Sequence, residues 1–100
     1  MEDDSIMTAY YDRQIVTALI GVKVDTKNIE NFAKEAVEFN NVEDVFLVTG
    51  EYDIIVKVKF PSYGELKDFI ISKLSKLDGV MKTETMMVVN TYKERGIKFE

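Results

Sequence analysis

The residues of this chain best placed to do chemistry are Thr49-Gly50-Glu51-Tyr52-Asp53, which join a flexible backbone point to a carboxylate. Apolar runs flank them, Val42 to Val48 before and Ile54 to Phe60 after. A tight turn between two strands would hold Asp53 at a strand edge, within reach of a small ligand's ammonium group. The residues also carry a plainer reading, in which Gly50 only makes the turn, Asp53 pairs with Lys57 on its own strand and Tyr52 is core. Other chemistries are closed. The chain has no cysteine, hence no disulfide, thiolate nucleophile or zinc–cysteine site, and no histidine to shuttle protons or ligate a metal. We therefore expect a binding module without catalytic residues, metal or cofactor.

One hundred residues make one domain, and a chain of that length buries enough surface to fold unaided. The hydrophobic share of 46% and charged share of 31% are those of a soluble protein, with no apolar run long enough to span a membrane. Met1-Glu2-Asp3-Asp4 is acidic where a signal peptide would be cationic, so the expected compartment is the cytoplasm. The net charge is −5, much of it in Glu2, Asp3, Asp4 and Asp12. Without a cluster of Lys and Arg to neutralise phosphates, direct nucleic-acid binding is not expected.

The elements that must position the turn follow from periodicity. Ile15 to Val24 is rich in β-branched residues and reads as a first strand. Asp25 or Thr26 caps a helix whose buried stripe is Ile29, Phe32, Ala33, Ala36 and Val37, ended by Asn40-Asn41. Val42 to Val48 and Tyr52 to Phe60 form a hairpin across Gly50, with Tyr52, Ile54, Val56, Val58 and Phe60 on one face. Pro61 stops the third strand, and Ser62-Tyr63-Gly64-Glu65 matches a capping box. Leu66, Phe69, Ile70, Leu74 and Leu77 line a second helix, which Asp78-Gly79 closes before a long strand, Val80 to Tyr92. Residues 1–13 read as an acidic tail, 14–93 as the domain and 94–100 as a polar tail.

Strand, helix, strand, strand, helix, strand is the order of an α+β, ferredoxin-like βαββαβ sandwich, an antiparallel four-stranded sheet with both helices on one face. The other face raises a question, because Ile15, Leu19, Val45, Leu47 and Ile55 alternate with the core-facing set. A second copy of the chain, stacked sheet to sheet, is the simplest cover and predicts a homodimer.

Thr49-Gly50-Glu51-Tyr52-Asp53, the helix from Leu66 to Leu77, Leu77-Asp78-Gly79-Val80 and Thr83-Glu84-Thr85 together resemble the effector-binding RAM domain of the Lrp/AsnC transcriptional regulators. The resemblance runs from about Ala18 to Lys93. Only a short acidic segment precedes it, so it implies a stand-alone effector module that lacks the family's helix-turn-helix domain and influences transcription of amino-acid metabolism indirectly. It further implies dimers that assemble into octamers, an amino-acid effector held near contacts between dimers, and full-length Lrp/AsnC regulators as partners. A free amino acid needs an acceptor for its ammonium and donors for its carboxylate. On that reading Asp53 takes the ammonium. Gly50 lets the backbone approach, the amides of Glu51 and Tyr52 donate to the carboxylate, the Tyr52 ring walls the pocket, and Thr83 and Thr85, two apart on one strand, add hydroxyls. Thr83 and Thr85 are equally good strand formers with no need of a ligand.

Two other readings share the fold. A small dimeric ferredoxin-like enzyme of the monooxygenase or isomerase kind would keep its cavity within one subunit, beneath the sheet, and would need an acid–base pair that the sequence does not offer. An ACT-like regulatory domain senses amino acids too, but its sheets associate edge to edge.

Overall fold

The computed structural model describes residues 15–99; the acidic tail lies outside them. Strand β1 (Val16–Val24) leads through a 3₁₀ turn (Thr26–Asn28) into helix α1 (Ile29–Ala36). Strands β2 (Val42–Leu47) and β3 (Ile54–Phe60) form the hairpin, and α2 (Tyr63–Ser72) follows. A second 3₁₀ turn (Leu74–Lys76) precedes β4 (Val80–Met87), which ends earlier than the sequence predicts. The sheet is antiparallel in the order β2-β3-β1-β4, so the fold is the expected α+β ferredoxin-like sandwich.

The core lies between one face of the sheet and the helices. Ala18, Ile20, Val22 and Val24 of β1 and Ile54, Val56, Val58 and Phe60 of β3 are buried against Phe32, Ala36, Leu66, Phe69 and Leu74. Each fully buried large side chain contributes about 1.5–3 kcal/mol relative to exposure. Val37, expected in the buried stripe, is exposed beyond the end of α1. Ser62 caps α2 by accepting from the Glu65 amide at 3.2 Å, while the Glu65 carboxylate meets the Ser62 hydroxyl at the same distance. Neither Asp25 nor Thr26 caps α1 through its side chain; the Asp25 amide instead donates to the Gly79 carbonyl at 2.8 Å. That bond draws Gly79, at φ +87°, against Asn28, where a Cβ would sit 2.4 Å from the Asn28 Cβ. Only glycine fits both constraints.

Two assignments of side chains to faces change. Val42 opposes Val58 while Asp44 opposes Lys57, so Glu43 is an extra residue in β2 and the alternation flips there. Val45 and Leu47, expected on the open face, therefore lie opposite Val56 and Ile54 on the helix side, and Phe46 takes the open face beside Ile55. Leu19 and Ile55 keep the places expected of them. Tyr52 precedes β3 rather than opening it, and its ring lies on the open face over Gly21, away from the core set of Ile54, Val56, Val58 and Phe60.

The segment read as a polar tail forms, together with Lys93, a small hairpin, β5 (Lys93–Glu94) and β6 (Ile97–Lys98). Arg95 and Gly96 turn it with φ of 53° and 81°, and the Phe99 amide donates to the Tyr92 carbonyl at 2.9 Å. Positive φ at both turn residues is the hairpin geometry that matches strand twist.

Candidate effector site at the β2–β3 turn

The Val48 amide donates to the Asp53 carbonyl at 2.9 Å and closes the turn, which Gly50 negotiates at φ +125° with open space around it. Asp53 is fastened to β1 twice. Its amide donates to the Val22 carbonyl at 3.0 Å, and its Oδ2 accepts from the Val24 amide at 3.0 Å. The second bond falls where Met81, an extra residue of β4, shifts the β1–β4 register between Lys23 and Val24. The carboxylate thus takes the place of a ladder carbonyl and fixes its own position at the sheet's end. Among the described residues, the amides of Glu51 and Tyr52 have no hydrogen-bond partner.

Asp53 does not pair with Lys57. That lysine, with Lys59, meets Glu94 of the terminal hairpin and Glu43 of the β2 bulge; the longer contacts span 3.6–3.8 Å. The hydrogen bond between Lys57 and Glu94 raises the lysine above its usual pKa of 10.5, against desolvation, and lowers Glu94 below 4.5. This charged cluster ties the terminal hairpin to the open face.

Tyr52 owes its position to Gly21, because a Cβ there would stand 2.8 Å from the Tyr52 Cγ. Its hydroxyl donates to the Glu84 carboxylate, and Lys82 Nζ lies 6.0 Å from the ring centroid. Thr83 and Thr85 share a face, as their spacing predicts. They oppose Val22 and Ile20, however, and so lie on the helix side, opposite to Tyr52. Asp53 and Thr83 also flank Val22 from its two sides, about two strand spacings or ~10 Å apart. One chain therefore brings Gly50, Glu51, Tyr52 and Asp53 together and holds Thr83 and Thr85 apart from them. Sequence reasoning passed over Gly21, Glu84, Lys23 and Lys82. A glycine inside a β-branched strand marks a close approach of another group, which was the available signal.

Two clefts open elsewhere. One of about 430 Å³ lies between the end of α1 and α2, lined by Phe39, Phe60, Phe69 and Asp68 among others, and one of about 200 Å³ sits under the terminal hairpin. Neither is lined by the turn residues or by the two threonines.

Comparison with known proteins agrees with this architecture. The family model for the Lrp/AsnC ligand binding domain matches residues 17–97, and the chain belongs to that family. It is 38% identical over 88 residues to the uncharacterized HTH-type transcriptional regulator YugG of Bacillus subtilis, covering 85% of this chain and 53% of YugG. It is 36% identical to the uncharacterized HTH-type transcriptional regulator PH1692 of Pyrococcus horikoshii, covering 94% of this chain and 68% of that protein. The chain spans about half the length of most curated relatives it matches. Among solved structures, FFRP-DM1 superposes with a TM-score of 0.72 at 30% identity, covering 74% of this chain and 99% of FFRP-DM1. Escherichia coli AsnC gives 0.77 at 26%, covering 89% and 58%. The regulator NMB0573 of Neisseria meningitidis, solved as a complex with L-Met, shares the fold at 0.76 and 22%, covering 86% and 56%. YugG, PH1692 and NMB0573 are transcriptional regulators rather than enzymes, in line with the expected absence of catalysis.

Proposed function

We propose that this domain binds a free amino acid and passes its presence on through assembly. The reading rests on one observation, the Gly50 turn that fixes Asp53 at a sheet end inside a chain of the Lrp/AsnC ligand-binding family. A complex of the same fold with L-Met supports the ligand class. Asp53 takes the ammonium, and the free Glu51 and Tyr52 amides lie open to the carboxylate. Thr83 and Thr85, on the far side of β1, serve as the second half of a site that another copy completes. Phe46, Ile55, Leu19 and Met86 leave an apolar area on the open face, which a second sheet covers in a dimer and dimers extend to an octamer. In a chain of net charge −5, with no cluster of Lys and Arg, the domain acts on transcription indirectly, by co-assembling with full-length Lrp/AsnC regulators in the cytoplasm rather than by gripping DNA itself.

Calorimetry against the twenty amino acids, with light scattering on the same samples, tests this. Asp53→Asn keeps an oxygen for the Val24 amide but removes the charge, and is expected to weaken binding at least tenfold in a folded protein. No heat from any amino acid, in any assembly state, would dismiss the ligand.

A further inference from the structure

The larger cleft lies at the end of the sheet away from the Gly50 turn, where Phe60 closes β3. Its floor is aromatic. The Phe69 ring meets Phe39 edge-on and Phe60 at a tilt, each with centroids 5.1 Å apart. Its rim is acidic. Glu65 and Asp68, spaced to share one side of α2, stand across from Glu38 in the segment after α1, and Lys73 is the one cation among the lining residues. Backbone bonds fix the walls. The Glu38 amide donates to the Glu35 carbonyl at 3.1 Å and the Phe39 amide to the Ala36 carbonyl at 3.3 Å, while Asn41 and Lys59 exchange bonds of 2.8 and 2.9 Å. At about 430 Å³ the cleft is thus preformed, and its volume falls in the range of small-molecule sites, ~300–1,000 Å³. Among the described residues no three acids stand close enough together to hold a metal ion, and none of these three lies within ion-pair distance of a lysine or arginine. Carboxylates spread around an aromatic floor suit a cation larger than a bare ion, with its charge at the rim and its hydrocarbon against the rings.

We infer that this cleft binds a small organic amine, an ammonium group on an apolar body. Glu38, Glu65 and Asp68 hold the ammonium, and Phe39, Phe60 and Phe69 carry the hydrocarbon. The same acids set what is refused. Three carboxylates against one lysine repel a negative charge, so the cleft takes an amine without a carboxylate and turns away a free amino acid of the same side chain. Neither its residues nor its ligand class are those of the β2–β3 turn, and it holds or fails independently of the amino-acid site.

Phenethylamine, an ammonium group on a phenyl body, is the probe, with phenylalanine and phenylpropionate as controls. In ¹H–¹⁵N spectra at constant ionic strength, phenethylamine is expected to move the Glu38, Phe39 and Asp68 amides along saturating curves, phenylalanine to move them less and phenylpropionate not at all. The double substitution Glu38→Gln/Asp68→Asn should weaken that response about tenfold. Both side chains are exposed, so the rest of the spectrum should stay in place. Asp53→Asn should leave the response intact, which separates this cleft from the turn. A cleft that does not respond to phenethylamine, that responds equally to phenylpropionate, or whose response survives the double substitution overturns the inference. So does movement of these amides on protein dilution without amine, because a second copy of the chain would then fill the cleft.

Discussion

On the helix-covered face, every second residue of β1 from Ala18 on and of β3 is apolar and buried, whereas on the open face the same strands set Leu19 and Ile55 among Lys23, Lys57 and Lys59. The first pattern tolerates only close-packed hydrocarbon. The second keeps an apolar patch at mid-sheet and places charges at its two ends: Lys57, Lys59, Glu43 and Glu94 at one, Lys23, Lys82 and Glu84 at the other. One cluster is neutralised within the chain. Among the described residues the lysines of the other have no carboxylate within ion-pair distance, and that difference sets the end beside the Gly50 turn apart.

The largest blow to this contrast comes from the packed face. Phe32→Ala empties a fully buried site beneath α1 and should cost about 3–5 kcal/mol in denaturant unfolding. Loss below about 1 kcal/mol would mean that α1 does not pin the sheet. Next comes Gly21→Ala, which forces the Tyr52 ring off the open face at a cost of about 1–3 kcal/mol. Combining it with Tyr52→Ala should recover part of that loss, and strict additivity in the double-mutant cycle would argue against the stacking contact. The smallest effect is that of pH on the terminal hairpin. Glu94 is depressed in the folded state, so its contribution is present above the ordinary carboxylate pKa and fades as pH falls through the lower, folded value. Lys57 is raised, so its share is complete below 10.5 and is lost as pH climbs through the higher, folded value. Protection of the Glu94 and Ile97 amides, taken relative to their intrinsic exchange rates, should therefore fall towards both extremes while that of the main sheet holds; protection unchanged across pH would show that the cluster does not anchor the hairpin.

Element order, the hairpin turn, the Ser62 cap and the left-handed Gly79 were all legible in the sequence, because each has a local residue signature. The faces were less so. Period-two reasoning holds only while no residue is inserted, and Glu43 is such a residue, which carried Val45 and Leu47 to the helix side. Tyr52 escaped the rule differently, since it stands before the strand and follows the space that Gly21 provides. The candidate site shows the same limit. Gly50 to Asp53 are neighbours in sequence and stay together in space, but which face Thr83 and Thr85 take depends on their pairing with β1, a strand at the other end of the domain.

The strand order carries one more consequence, in the time domain. β2 and β3 meet across a short turn, but β1 pairs with β4 through residues roughly seventy positions apart, as at Ala18 and Met87. Such non-local pairings pay their loop-closure entropy late and set the folding rate. During synthesis, β1 must therefore wait beside β3 with one backbone edge unsatisfied until nearly the whole domain has emerged. A chain stalled or cut before Val80 would keep that edge open, with Ile20 and Val22 alongside it, as a template for self-association.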